Sequence, residues 1–204
     1  MEQQLPGLVL STRGLNTLMF SDSYAKLCLA ARLASQFEKV SYIDLDTTFA
    51  AYFNAGLIKP RNIDTYLPSE GRLVPMIKDV LESMGDSRLV IFDSVNSFYN
   101  LFPAHERTGD LNHLLSVLLM LLVRRGLDEN VPVLATSMLR YRKDGGWVQS
   151  PASRRLLQRK SAARLSVERS GSDIAVTVIE HDSMPAGAQL VYKDSLITAS
   201  RLPQ

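Results

Sequence analysis

Between Arg88 and Asn100 the chain carries four consecutive apolar residues, Leu89-Val-Ile-Phe92, that stop abruptly at Asp93-Ser94. A run this short and without alternation suits a strand buried on both faces, as in a parallel sheet. Such sheets bind ligands beyond the carboxyl ends of their strands. A carboxylate in that place can hold a hydrated Mg²⁺, directly or through water. Asp93 is therefore a candidate metal ligand. Its competing role is to cap the following turn with its own side chain.

The rest of the chain supplies partners for such a strand. Leu15-Asn-Thr-Leu-Met-Phe20 reads as a first core strand, preceded by an irregular lead-in over 1–13 with at most a short edge strand at Leu8-Val-Leu10. Ser21-Asp-Ser23 offers N-cap chemistry, and Leu27, Ala30, Ala31 and Ala34 recur at helical spacing from Tyr24 to Phe37. Lys39 to Asp44 is a second strand ending in acid, and Asp44-Leu-Asp46 places two carboxylates at the same edge. A short helix or turn follows over Thr47 to Gly56, with Gly56 as its stop. Residues 57–70 read as loop with a short strand possible at 63–67, and Leu73 to Met84 as an amphipathic helix with Pro75 in its first turn.

After Asp93, residues 98–109 read as a loop. Asp110 caps a helix over Leu111 to Arg125, and Gly126 is its stop signal. Val131 to Thr136 is another buried strand, with Pro132 tolerated near its start. A polar, basic segment spans about Arg140 to Lys160. β-patterned segments close the chain at 163–169, 174–180, 189–192 and 196–199, the first two joined by a hairpin turn at Ser170-Gly171. Strand and helix alternate from about 15 to 136. That pattern predicts an α/β three-layer core with a mostly parallel sheet and antiparallel C-terminal strands, in one domain over 1–204.

Composition narrows the function classes. With 204 residues, 46% hydrophobic and 22% charged, the chain can bury a real core. The single Cys28 excludes an intramolecular disulfide and is expected as a small core residue. The three histidines are scattered without zinc-ligand spacing. His113 is expected to pack on its helix, and His181 has no nucleophile partner in view. The first residues lack the basic and apolar regions of a secretory signal, and Leu111 to Val123 is too short to span a bilayer. A cytoplasmic protein with no membrane partner is expected.

The order of elements resembles the RecA/RadA recombinase superfamily, and within it the RadB-type paralogues of archaeal type that consist of the ATPase core alone. Three stretches carry the resemblance, which spans about residues 15–200. Val40-Ser-Tyr-Ile-Asp-Leu-Asp-Thr-Thr-Phe49 is similar to the family's YVDTEGGF strand, with Asp46 in place of its glutamate. Leu89-Val-Ile-Phe-Asp-Ser-Val95 is similar to its Walker B strand, VVVDSI. Asp110 to Leu134 follows its long helix and next strand.

The departure is at the phosphate-binding loop. The family's G-x-x-x-x-G-K-[ST] wraps phosphates with backbone N–H groups and holds Mg²⁺ with the hydroxyl. Here the segment is Phe20-Ser-Asp-Ser-Tyr-Ala-Lys-Leu27. Lys26 stands at the lysine position. Phe20 and Ala25 replace both glycines, Leu27 replaces the hydroxyl, and Asp22 adds a negative charge. The bulk of Phe20 and the β-carbon of Ala25 hinder the close approach that glycine permits. The degenerate Walker A predicts no ATP hydrolysis and no cofactor, with Lys26 as a surface lysine rather than a phosphate ligand. Asp46 and Asp93 would then serve local structure. The alternative is a residual, weakly Mg-ATP-binding ATPase that uses Lys26, Asp46 and Asp93.

The strongest chemical signal lies further on. From Arg140 to Arg169 nine cations face two anions, a net of +7, which leaves −5 for the rest of a chain whose net charge is +2. Arg140-Tyr-Arg-Lys-Asp-Gly-Gly-Trp147 interleaves cations, aromatics and glycines. Cations neutralise phosphates and aromatics stack on bases, a combination suited to single-stranded DNA or RNA. The candidate contacts are Arg140, Tyr141, Arg142, Lys143, Trp147, Arg154, Arg155, Arg159 and Lys160. The resemblance makes this segment the family's second DNA-binding loop. It makes Phe98 to Arg107 the first, with Tyr99, His105 and Arg107 as weaker candidates. The resemblance also implies an oligomer, with itself or a RecA-like paralogue. The leading expectation is a non-catalytic accessory protein of DNA recombination and repair. The alternatives are an Elongator-type subunit acting on tRNA and a protein-only scaffold whose basic loop docks on protein.

Overall fold

The computed structural model describes residues 8–59, 62–69, 71–103, 105–144, 146–149 and 161–193. Nine strands form one sheet among them: β1 (Leu15–Phe20), β2 (Val40–Asp44), β3 (Ile63–Tyr66), β4 (Leu89–Asp93), β5 (Val133–Arg142), β6 (Gly146–Gln149), β7 (Ser161–Ser170), β8 (Asp173–His181) and β9 (Gln189–Lys193). The order is β3-β2-β4-β5-β1-β7-β8-β9, with β6 paired to β5. Neighbours from β3 to β7 along that order run parallel. The pairs β7–β8, β8–β9 and β5–β6 are antiparallel. The expected mostly parallel sheet with antiparallel C-terminal strands is what forms.

Helices cover the two faces. The helices among the described residues are α1 (Ser23–Ala34), α2 (Thr48–Asn54), α3 (Leu73–Ser83), α4 (Val95–Phe98) and α5 (Thr108–Glu129). One core packs Leu27, Ala30 and Leu33 of α1 against Leu18, Ile91, Leu134 and Val167. The other packs Ile77 and Val80 of α3 and Leu115 and Leu122 of α5 against Val90, Phe92 and Val133. Alternate residues of β4 therefore serve opposite cores. This explains its unbroken apolar run: a strand covered on both faces has no polar side to show.

Several boundaries differ from the sequence reading, each for a local reason. Asp110 lies in the first turn of α5 rather than at its cap, which is Arg107. Gly126 does not stop the helix, which runs on to Glu129 and ends at Asn130 in the left-handed region, φ 56°. Gly126 is instead where the helix meets the chain leading into β5. A β-carbon there would lie 2.6 Å from the Val131 carbonyl oxygen. The stretch read as loop from 98 begins with α4 and a 3₁₀ turn over Tyr99–Leu101. β5 starts only at Val133 and runs six residues past Thr136, because its far half pairs with β6. No strand forms at Leu8-Val-Leu10. The strand expected at 196–199 lies outside the described residues.

Candidate functional site

Three parallel strands deliver acids and their partners to one place. β2 and β4 pair in register, so Asp44 stands beside Asp93 at their carboxyl ends. β5 lies on the other side of β4 and brings Thr136 to the same level. Asp46 follows two residues after Asp44, in the turn that opens α2. α1 crosses the sheet from β1 and carries Lys26 on the same stripe as Ala30 and Leu33, both buried.

That stripe places Lys26 in the interior. It is 1% exposed, which corrects the expectation of a surface lysine. Its Nζ donates to both carboxylate oxygens of Asp93, at 2.9 and 2.7 Å, and to Asp46 Oδ2 at 3.1 Å. Asp93 is fully buried and also accepts from the Tyr42 hydroxyl at 2.6 Å and from the Thr136 hydroxyl. It does not cap the next turn. Ser94 does so, accepting from the Ser97 amide at 3.2 Å. Tyr42 is held by stacking on Phe49, centroids 4.0 Å apart.

Burial lowers the Lys26 pKa, but the charges of Asp93 and Asp46 outweigh it and hold the ammonium above its ordinary value. Burial likewise raises Asp46, and the adjacent Lys26 reverses this and keeps its carboxyl below the usual range. Among the described residues Asp44 has no cation of its own. Burial dominates there, the Ala50 amide at 2.8 Å opposes it, and the nearby Asp93 and Asp46 charges bring the carboxyl to about 7. Its Oδ1 is buried without a hydrogen-bond partner. Burial, then the Asp93 charge, pushes the Tyr42 phenol well above its ordinary value.

A nucleotide–Mg²⁺ group, which the resemblance implies, fits these residues poorly. The first amides of α1 would have to receive phosphate, yet Asp22 Oδ1 already accepts from the Tyr24 and Ala25 amides at 2.8 and 3.0 Å. Leu27 is buried in the core and supplies no hydroxyl. The oxygens of Asp44, Asp46 and Asp93 lie within 4.8 Å of one another, the spacing of a cation site. The Lys26 ammonium already stands against two of these three acids.

The basic segment has a different character. β5 and β6 form a hairpin whose register pairs Leu139 with Gln149 and Tyr141 with Trp147. Cross-strand partners share a face, so these four residues line one side, while Arg140 and Arg142 lie on the other. Lys143 sits in the turn between the strands. Tyr141 and Trp147 are 65% and 54% exposed and meet edge to face at 5.6 Å. Arg140, Arg142 and Lys143 are exposed, and Asn96 of α4 braces the hairpin base by accepting from the Met138 amide at 2.6 Å. Arg154, Arg155, Arg159 and Lys160 lie outside the described residues.

Two basic residues further along are committed to local contacts. Arg164 pairs with Glu180 at 3.2 Å, and Arg169 lies over the Tyr24 ring. In the other expected loop, the Tyr99 hydroxyl is bonded to Asn112 of α5, while His105 and Arg107 are exposed. His113 is exposed rather than packed. His181 is tied to the Val9 carbonyl and Asp182. Cys28 is buried as expected.

Sequence reasoning missed Tyr42 and Thr136, since neither carries a motif of its own. The available signal was position: both lie on strands that flank β4, within two residues of the carboxyl edge. No helix among the described residues is long and apolar enough to cross a membrane.

No protein-family model and no curated protein matches this chain. Among solved structures, that of the RadB recombinase matches with a TM-score of 0.66 over 94% of this chain and 92% of that one, at 17% sequence identity. The chain has the RecA-like fold of that recombinase.

Proposed function

We propose that this chain is a RecA-fold accessory protein that does not hydrolyse ATP and binds single-stranded nucleic acid through its β5–β6 hairpin. The observation that carries the reading is the hairpin itself. It exposes an aromatic pair on one face and cations on the other, the two chemistries that stack bases and neutralise phosphates. The self-capped start of α1 and the internally paired Lys26 support the absence of hydrolysis. The fold shared with a recombinase supports a role in DNA recombination or repair, which we propose is carried out beside a RecA-like paralogue or a second copy of this chain.

The test uses Trp147, the only tryptophan. Its fluorescence is followed while a single-stranded oligonucleotide is added at low salt and again at higher salt. A saturable change that weakens steeply with salt is expected. A silent Trp147 together with no gel shift would overturn the reading and leave a protein-docking hairpin. Tighter binding of structured tRNA than of single-stranded DNA would move the substrate to RNA modification. Mg-ATP is expected to leave the thermal midpoint unchanged.

A further inference from the structure

Beneath the aromatic face of the hairpin lies a cavity of about 440 Å³, between β6 and the sheet strands β1, β7 and β8. This is within the range of roughly 300–1,000 Å³ for small-ligand sites. Trp147 forms one wall. Gln149, Arg164, Ser166, Glu168 and Ser21 supply its polar lining. Two of these residues carry an anomaly: Gln149 Nε2 and Arg164 Nε are buried and have no hydrogen-bond partner. A buried donor left unpaired is costly, and folded proteins leave few of them. The Arg164 guanidinium also reaches Glu180 through Nη1, at 3.2 Å.

From these features we infer that the cavity accepts one nucleobase of the bound strand, turned out of its stack and placed against Trp147. Every base presents ring nitrogens or carbonyl oxygens as acceptors, which the Gln149 and Arg164 donors can satisfy once these side chains turn toward the cavity from their sealed positions in its wall. Bases also carry N–H groups, for which Glu168 is an acceptor. The aromatic wall recognises any base through its π-face. Arg140 and Arg142, on the opposite face of the hairpin, are left for the backbone phosphates. The inference rests on the single-strand reading of the hairpin and adds to it a base-dependent contact.

The experiment compares oligothymidylate with an oligomer of equal length and charge whose every base is replaced by an abasic sugar. The intact strand is expected to bind about 5- to 100-fold tighter, the range for one lost base–aromatic contact, and alone to alter Trp147 emission. Ser166→Phe fills the cavity from β7. Gln149→Ala removes one donor and guards against a misfolded first variant, with thermal melts confirming that both fold. Each is expected to reduce the preference for the intact strand while leaving abasic binding unchanged. Folded variants that keep the full preference would overturn the pocket while leaving the nucleic-acid reading intact. Failure of both oligomers to bind the wild-type chain would overturn that reading and the pocket with it. Thymidine monophosphate binding as tightly as the strand would overturn a strand-borne base in favour of a free nucleotide.

Discussion

The cluster around Lys26 and the β5–β6 hairpin both sit past the carboxyl ends of the parallel strands, and they treat charge in opposite ways. In the cluster, Lys26, Asp93 and Asp44 are withdrawn from water, and the ammonium is bonded at close range to Asp93 and Asp46. In the hairpin, Arg140, Arg142 and Lys143 are exposed beside two exposed aromatic rings. A charge closed within the fold acts on stability. A charge held out in solvent acts on partners. The same RecA-like sheet edge is thus sealed at Lys26 and open at the hairpin, where nucleic acid is proposed to lie.

The largest expected effect comes from breaking the sealed half. Lys26→Met leaves Asp93 and Asp46 without their cation, and removing one partner of a buried pair costs about 3–5 kcal/mol. A fall of that size in urea-unfolding free energy is expected at pH 7. Lys26→Met combined with Asp93→Asn should recover part of it, since one uncompensated carboxylate is then gone. An equal loss in both would show that Lys26 contributes packing alone.

Asp44 gives the next effect, and its sign is fixed by the direction of its shift. Unfolded, it ionises near its ordinary 3.8; folded, it does so at about 7. Between these values the folded chain holds a proton that the unfolded chain has released, so this group's contribution to stability falls as pH rises from about 4 to about 7 and levels off above. Asp44→Asn keeps an acceptor for the Ala50 amide and offers a donor toward Asp46. It should remove that downward slope and exceed the wild type above pH 7 by up to about 4 kcal/mol, read from urea midpoints across pH. Parallel pH profiles for the two chains would refute the shift.

These two residues show where the sequence was legible. The apolar run of β4, the acids that end β2 and β4, and the alternation of strand and helix are short-range signals, and each reappears in the fold. Lys26 was misread because a lysine is ordinarily solvated and its partners are 20 and 67 residues away. Its place on the buried stripe with Ala30 and Leu33 was visible, but a stripe does not reveal which acid waits opposite. Tyr42 and Thr136 were missed because strand order, not local sequence, puts both beside Asp93. The far half of β5 falls within the basic segment because it is mostly exposed and its alternation, Leu139-Arg-Tyr-Arg142, is only four residues long. Gly126 resembled a helix stop until the return of the chain at Val131 supplied the contact that excludes a β-carbon.

In the open half the effects fall on binding. Trp147→Ala should change stability by no more than about 0.5 kcal/mol, as expected for an exposed site. It should weaken oligonucleotide binding by about 1–3 kcal/mol, measured by anisotropy of a labelled strand. A Trp147→Ala chain that binds normally would reduce the hairpin to an electrostatic contact.

Arg142→Ala is the smallest and most specific change. Arg142 pairs across the hairpin with Gly146, makes no described ion pair and lies on the face opposite Trp147. Its removal should leave unfolding unaffected. If it meets one phosphate, the plot of log affinity against log salt should become shallower by about 0.7, the value per single-strand phosphate, and by the same amount whatever the base sequence. A slope that stays put while affinity falls for some sequences only would place Arg142 against bases instead. The division of the hairpin into an aromatic base side and a cationic phosphate side would then have to be abandoned.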